Sequence, residues 1–157
     1  PDRAQPTRLK AEIQVRTLLE HASADIAHDL IYKADAKVPD RVRRQYAALA
    51  AVLKGKNALL VASTDLSHFY DQKTANALDA EMLKRIESFQ PEKIFEAEHT
   101  GKGFACGHAA VASVLWAARA LGADRVQVLH HATSGDVTGD FSQVVGYGAA
   151  VVLKRNS

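Results

Sequence analysis

The chain has 157 residues, of which 47% are hydrophobic and 24% are charged, a composition that fits one soluble domain better than two. Its net charge of +2 is too small to indicate a nucleic-acid or membrane surface, and its single cysteine excludes an internal disulfide. No apolar run reaches the ~18–20 residues of a membrane span, and the N-terminal residues lack a signal-peptide core. We therefore expect a cytoplasmic protein with a single domain over residues 1–157.

The first third of the chain predicts a strand followed by two helices. Ile13 and Val15 alternate with polar residues in the stretch from residue 7 to 17, which is typical of a half-buried strand. Apolar residues then recur every three or four positions through 18–33 and again through 39–54, so two amphipathic helices are expected. These two helices also offer surfaces through which the protein could form a homo-oligomer.

The stretch LLVASTDLSHFY, residues 59–70, combines an apolar run with polar residues at its end. The run at 59–62 predicts a buried strand of the parallel type. Such a strand would deliver Asp65 and His68 to its carboxyl edge, where α/β proteins gather their ligands. We take this strand as the centre of the predicted sheet.

The rest of the chain predicts three helices, two strands and one polar loop. In chain order these are a helix capped by Asp71, a short helix from Pro91 to about Glu98, an alanine-rich helix over 108–121, a strand over 126–130, a loop over 134–142 and a strand over 144–153. The element order is therefore β-α-α-β-α-α-α-β-β. This order predicts a single layered α/β domain, in which four to five helices cover a mixed sheet of about four strands.

The residues Asp65, His68 and Cys106 are candidates for a metal or acid–base site. Imidazole, thiolate and carboxylate ligands suit zinc, iron or copper, and further histidines could complete the set, namely His108, His130 and His131. A structural alternative is that Asp65 and Ser67 cap a turn while Cys106 is a small buried residue. A third reading is a reactive Cys106 thiolate, stabilised by the N-terminus of the following helix.

Two other polar groupings allow weaker functional readings. A second metal-binding cluster could form on the predicted helix over 18–33, from His21, Asp25, His28 and Asp29, although a solvated helix face explains these residues as well. The glycine- and aspartate-rich loop over 133–140 could cradle an anion. Its acidic residues argue against phosphate, however, and favour a role in forming turns.

The segment over 10–53, which contains EIQVRT and HASADIAHDLIYK, resembles the end of the RelA/SpoT-type alarmone synthetase domain. This resemblance implies that Glu12 corresponds to the family's magnesium-associated catalytic glutamate, with Gln14 and Arg16 beside it in the nucleotide site. The family also needs a basic segment and an aspartate upstream, and neither precedes Pro1. Magnesium would be a cofactor only if this nucleotide binding survives.

The segment over 57–153 resembles the C-terminal half of Memo-like proteins, also called AmmeMemoRadiSam system protein B. The matching motifs are LLVASTDLSHFY, FACGHAAV and TSGDVTGDFSQVVGYGAAVV. The resemblance implies a fold similar to the class III extradiol dioxygenases, with Asp65, His68 and Cys106 lining a metal-centred cleft. It also implies that histidine ligands come from an N-terminal half that this sequence does not show.

Taken together, the two resemblances predict a chimeric or recombined α/β domain, built from segments 1–54 and 55–157 and without an intact natural active site. On this reading the protein is not an enzyme and has no resident cofactor. The alternatives are a Memo-like metal or redox site at Asp65, His68 and Cys106, residual guanine-nucleotide binding through Glu12, and an oligomerisation module.

Overall fold

The computed structural model describes residues 40–155, which form five helices and one small sheet. In chain order the elements are α1 (Asp40–Leu53), β1 (His68–Tyr70), α2 (Gln72–Glu87), α3 (Pro91–His99), α4 (His108–Ala120), β2 (Arg125–Thr133), α5 (Gly135–Thr138) and β3 (Val144–Leu153). None of the helices in this part of the chain combines the length and the apolar character that crossing a bilayer requires.

The sheet of the described residues has three antiparallel strands in the order β1-β3-β2. Strand β2 pairs with β3 along its whole length, from Arg125 opposite Leu153 to Thr133 opposite Gly146. The much shorter β1 pairs with the start of β3, where His68 lies opposite Val145. The long hairpin of β2 and β3 is therefore the frame on which β1 is held.

Helix α2 covers the sheet, and its start is fixed by the predicted cap. The Asp71 side chain accepts the backbone N–H of Thr74 at 3.1 Å, which satisfies one of the free donors of the first turn. The buried face of the helix carries Ala75, Met82 and Ile86 and packs against β2 and β3. Helix α3 packs on α2 and α4, and α1 packs on α4. The resulting core includes Leu66, Met82, Ile94, Leu115, Trp116 and Val126.

The predicted α/β class and single layered domain are confirmed, and most of the predicted elements lie within a few residues of their observed bounds. A mixed sheet of about four strands was expected, whereas the sheet of the described residues has three strands, all antiparallel, because the parallel-type strand expected over 59–62 does not form. The strand over 7–17 and the helix over 18–33 lie outside the described residues. Oligomerisation through that helix and α1 stays a prediction, as does the extent of the domain over 1–157.

The predicted strand over 59–62 is wrong, because the described structure contains no strand before His68 in this stretch. Leu59 and Val61 are 87% and 75% exposed, while Leu60 and Ala62 are half-buried. The alternating burial is that of an extended chain whose outer side has no covering layer in the described residues. The stretch borders an apolar groove of about 630 Å³ instead of forming the centre of a sheet.

Substitution of Ile94 tests the position of the core. Replacing this fully buried residue by alanine should lower the free energy of unfolding by about 2–5 kcal/mol, because a cavity remains between α3 and its neighbours. The exposed Val137, 91% accessible, is the matched control, and Val137→Ala should change stability by no more than ~0.5 kcal/mol. Urea denaturation measures both, and equal losses would contradict this core.

Candidate metal centre

The side chains of Asp65, His68 and Cys106 meet at the surface of the domain, although 41 residues separate the first from the last. One ligand atom from each lies within 4.8 Å of the other two. His68 Nε2 is 3.7 Å from Asp65 Oδ2; both of these residues are half-buried, whereas Cys106 is exposed. The structure thus brings together the three residues that the sequence analysis proposed as metal ligands.

Hydrogen bonds join the segment that carries Asp65 and His68 to the segment that carries Cys106. The N–H of Cys106 donates to the carbonyl of Asp65 at 3.1 Å, and the N–H of Asp65 points back to Cys106 Sγ at 3.3 Å. The Thr64 hydroxyl accepts the N–H of Gly107 at 2.8 Å and donates to the carbonyl of Asp65. A Cβ at Gly107 would lie 2.5 Å from the carbonyl oxygen of Ser63, so the approach requires glycine.

The residue after His68 has an unusual backbone conformation. Phe69 has a φ of 61°, in the left-handed region, and the β1–β3 register shifts between His68 and Tyr70. Such a conformation costs of order 1–3 kcal/mol and persists only where surrounding contacts impose it. Because the Phe69 side chain is 71% exposed, its own packing contributes little to holding it. Contacts of the neighbouring backbone must therefore hold Phe69 in this conformation.

A second pair of polar side chains supports the loop that carries Cys106. Glu98 Oε2 accepts the N–H of Ala105 at 3.2 Å, and His108 Nδ1 donates to the carbonyl of Ala105 at 3.0 Å. Since a carbonyl only accepts, this bond places the proton of a neutral His108 ring on Nδ1. Burial raises the pKa of the Glu98 carboxyl above its ordinary value, while the His108 ring and the Ala105 N–H act in the opposite direction.

The other predicted histidine ligands do not join the three donors. His108 is buried, and its Nε2 has no hydrogen-bond partner among the described residues. His130 is exposed on β2, and His131 donates from Nε2 to Asp79 Oδ2 at 2.8 Å. Several candidates lie outside the described residues, namely Glu12, Gln14, Arg16, His21, Asp25, His28 and Asp29.

Two structural readings of the sequence have opposite outcomes. Cys106 is exposed, so its interpretation as a buried apolar residue is wrong. The segment expected to be a loop after β2 contains a turn at Ser134 and the short helix α5, in which Asp136 accepts the N–H of Thr133 at 2.6 Å and the side-chain amide of Gln72 at 3.1 Å. These hydrogen bonds hold the pKa of Asp136 below its ordinary value, the largest contribution coming from the Thr133 N–H.

Sequence reasoning missed Thr64, Asp79 and Glu98, whose side chains accept hydrogen bonds from backbone N–H groups near the candidate ligands. Asp79 was detectable in principle, because it lies four residues after Ala75 and three before Met82, on the apolar face of a predicted helix. A lone carboxylate on such a face signals a buried polar contact. Thr64 and Glu98 carry no comparable signal in the sequence.

Comparison with known proteins assigns this α/β domain to a protein family. The sequence model of the Memo-like protein family matches residues 36–151, and the chain belongs to this family. It is 39% identical over 102 residues to a MEMO1 family protein of Nitrosopumilus maritimus and 37% identical over 97 residues to one of Methanocaldococcus jannaschii. The matches cover 65% and 62% of this chain but only 37% and 34% of those relatives, so the chain spans about a third of their length.

The prediction of a recombined domain without a natural active site is therefore wrong. The match to the Memo-like family covers residues 36–151 and so includes both sides of the seam that the sequence analysis placed near residues 54 and 55. No comparison supports the resemblance of residues 10–53 to alarmone synthetases. Helix α1, assigned to that resemblance, falls within the Memo-like match and packs on α4.

The raised pKa of Glu98 predicts how stability changes with pH. The folded protein binds this proton more tightly than the unfolded chain, so the contribution of Glu98 to stability is largest below its ordinary pKa and is lost as the pH rises through the raised value. Glu98→Gln stays neutral and keeps an acceptor for the Ala105 N–H. Urea midpoints measured from pH 4 to 8 should fall less with rising pH in this variant than in the wild type.

Glu98→Ala is the matched comparison, because it removes the charge together with the acceptor. Its stability should depend on pH as weakly as that of Glu98→Gln. At every pH it should be less stable than Glu98→Gln, because the Ala105 N–H loses its acceptor. Parallel pH profiles for the wild type and both variants would contradict the role given to Glu98.

Proposed function

We propose that the chain binds one divalent transition-metal ion through Asp65 Oδ2, His68 Nε2 and Cys106 Sγ. The observation that supports this proposal is the convergence of three chemically different donor atoms within 4.8 Å of one another. An ion with bonds of ~2.0–2.3 Å to all three atoms needs donors at about this separation, and small side-chain rotations would complete the approach. Membership of the Memo-like family agrees with this reading and does not by itself identify an ion or a substrate.

The chemistry of the donors narrows the choice of metal. A carboxylate, an imidazole and a thiolate together suit zinc, iron or copper better than magnesium or calcium, which prefer oxygen ligands alone. Three protein ligands leave at least one coordination position open, as in catalytic rather than structural zinc sites. An ion bound there would act as a Lewis acid or, for iron or copper, as a redox centre.

Neighbouring groups hold the donor atoms in place and favour negative charge on the sulfur. The N–H of Asp65 donates to Cys106 Sγ and complements negative charge on the sulfur. The other two donor atoms, His68 Nε2 and Asp65 Oδ2, already lie 3.7 Å apart. The hydrogen bond from the Gly107 N–H to the Thr64 hydroxyl holds the two segments at a fixed distance. The chain therefore supplies the ligands and their orientation, while any substrate would approach from the exposed side of the site.

Substitution of the ligands tests the proposal. Zinc or cobalt titration of the wild type should show one stoichiometric site, and Cys106→Ala and His68→Ala should each lose more than the roughly 10–100-fold affinity that removal of an outer hydrogen-bonding partner costs. Cobalt should also give a thiolate charge-transfer band that Cys106→Ala abolishes. Isothermal titration calorimetry and absorption spectroscopy provide the two readouts.

His130→Ala is the control for nonspecific binding by histidine, because His130 is exposed on β2 and is absent from the donor cluster. This variant should bind the metal as the wild type does. A wild-type chain without a stoichiometric site, or equal losses in His130→Ala and His68→Ala, would contradict the proposed metal centre.

A further inference from the structure

We propose that Asp79 and His131 form a pair that positions the metal-ligating residues on either side of Ser67. The proposal rests on the proposed function, because Asp65 and His68 are the carboxylate and imidazole of that metal site. Neither Asp79 nor His131 belongs to the donor cluster. Both are therefore positioning residues, which act on the ion through the backbone that carries its ligands.

The carboxylate of Asp79 is fully buried and uses both of its oxygens. Oδ1 accepts the backbone N–H of Ser67 at 2.9 Å, and Oδ2 accepts the Nε2–H of His131 at 2.8 Å. Ser67 is also fully buried, follows Asp65 by two residues and directly precedes His68. One oxygen of Asp79 thus determines the position of the residue that joins the two ligands.

Strand β3 holds this short stretch but leaves the N–H of Ser67 unused. The N–H of Leu66 donates to the carbonyl of Gly146, and the carbonyl of Ser67 accepts the N–H of Gly146, both at 2.9 Å. An apolar residue in place of Asp79 would leave the buried Ser67 N–H without an acceptor, which costs free energy. Helix α2 therefore supplies the bond that the irregular β1–β3 pairing cannot supply.

Two further residues make room for this carboxylate and compensate its charge. A Cβ at Gly146 would coincide with the carboxylate of Asp79, so α2 can bring Asp79 to the sheet only where glycine stands. His131 reaches the same carboxylate from β2 and provides the partner that a buried charge requires. Simple packing of a helix on a sheet needs neither feature, which favours a positioning role for the pair.

Metal affinity and the exchange rate of one amide test the proposal on the full chain. Asp79→Ala should weaken zinc binding by about 10–100-fold, the usual effect of removing an outer hydrogen-bonding partner. Asp79→Asn keeps an amide oxygen for Ser67, and its N–H can donate to Nε2 of His131 when the neutral ring carries its proton on Nδ1, so this variant should restore most of the affinity. In the metal-free protein, hydrogen exchange of the Ser67 amide should accelerate in Asp79→Ala and return towards the wild-type rate in Asp79→Asn.

Ile86→Ala separates positioning from loss of stability. Ile86 is buried on the same face of α2, two turns beyond Asp79, so this variant should unfold more easily yet bind zinc as the wild type does. If Asp79→Ala does not fold, His131→Ala replaces it, since the side chain of His131 is 27% exposed and its loss leaves less of a cavity. This variant should also weaken zinc binding.

The outcomes distinguish a failure of the positioning role from a failure of the metal site on which it rests. Binding by the wild type together with unchanged affinity in the folded Asp79 or His131 variant would overturn the positioning role alone. Unchanged exchange of the Ser67 amide in Asp79→Ala would also overturn it. Absence of stoichiometric zinc binding by the wild type would overturn the metal site, and the positioning role with it.

Discussion

The candidate site depends on how the backbone between Thr64 and His68 is held, because no regular strand fixes this segment along its length. Strand β3 bonds it through Gly146, the carboxylate of Asp79 bonds it from α2, and the loop before α4 bonds it through Cys106. Each attachment comes from a different element of the fold. The positions of the three donor atoms therefore depend on how β3, α2 and the loop before α4 pack together.

These attachments also explain how the protein can hold a strained residue beside a candidate ligand. Phe69, at a φ of 61°, follows His68 directly, and its exposed side chain cannot hold it in place. The bonds to Ser67 restrict the backbone before it, and the β1–β3 pairing restricts the backbone after it. An over-determined backbone of this kind is how folds keep strained conformations near functional groups.

The sequence predicted those parts of the structure that depend on local periodicity. The apolar stripe from Ala75 to Ile86 and the cap at Asp71 located α2, and the apolar run over 144–153 located β3 to the residue. The run over 59–62 was misassigned, because local apolarity does not reveal whether another layer covers a segment. The grouping of Asp65, His68 and Cys106 was proposed from residue chemistry and family resemblance, since their wide spacing has no periodic signal.

The supporting groups could not be found in the same way. Asp79, Glu98 and Thr64 act through bonds to backbone atoms of distant segments, and a sequence does not show which amide a side chain will meet. The chimeric interpretation failed for a related reason. It gave weight to short motifs before residue 54, whereas the Memo-like match covers residues 36–151 and includes the last part of that segment.

The central claim is that Cys106 and His68 bind the same ion, and X-ray absorption spectroscopy of the zinc-loaded chain tests it most directly. The account predicts one sulfur neighbour at ~2.3 Å together with nitrogen and oxygen neighbours at ~2.0–2.2 Å. The chain has a single cysteine, so a sulfur at that distance identifies Cys106. Dilution and size measurement show whether the ion is held within one chain or bridges two. A shell of nitrogen and oxygen alone would contradict the account.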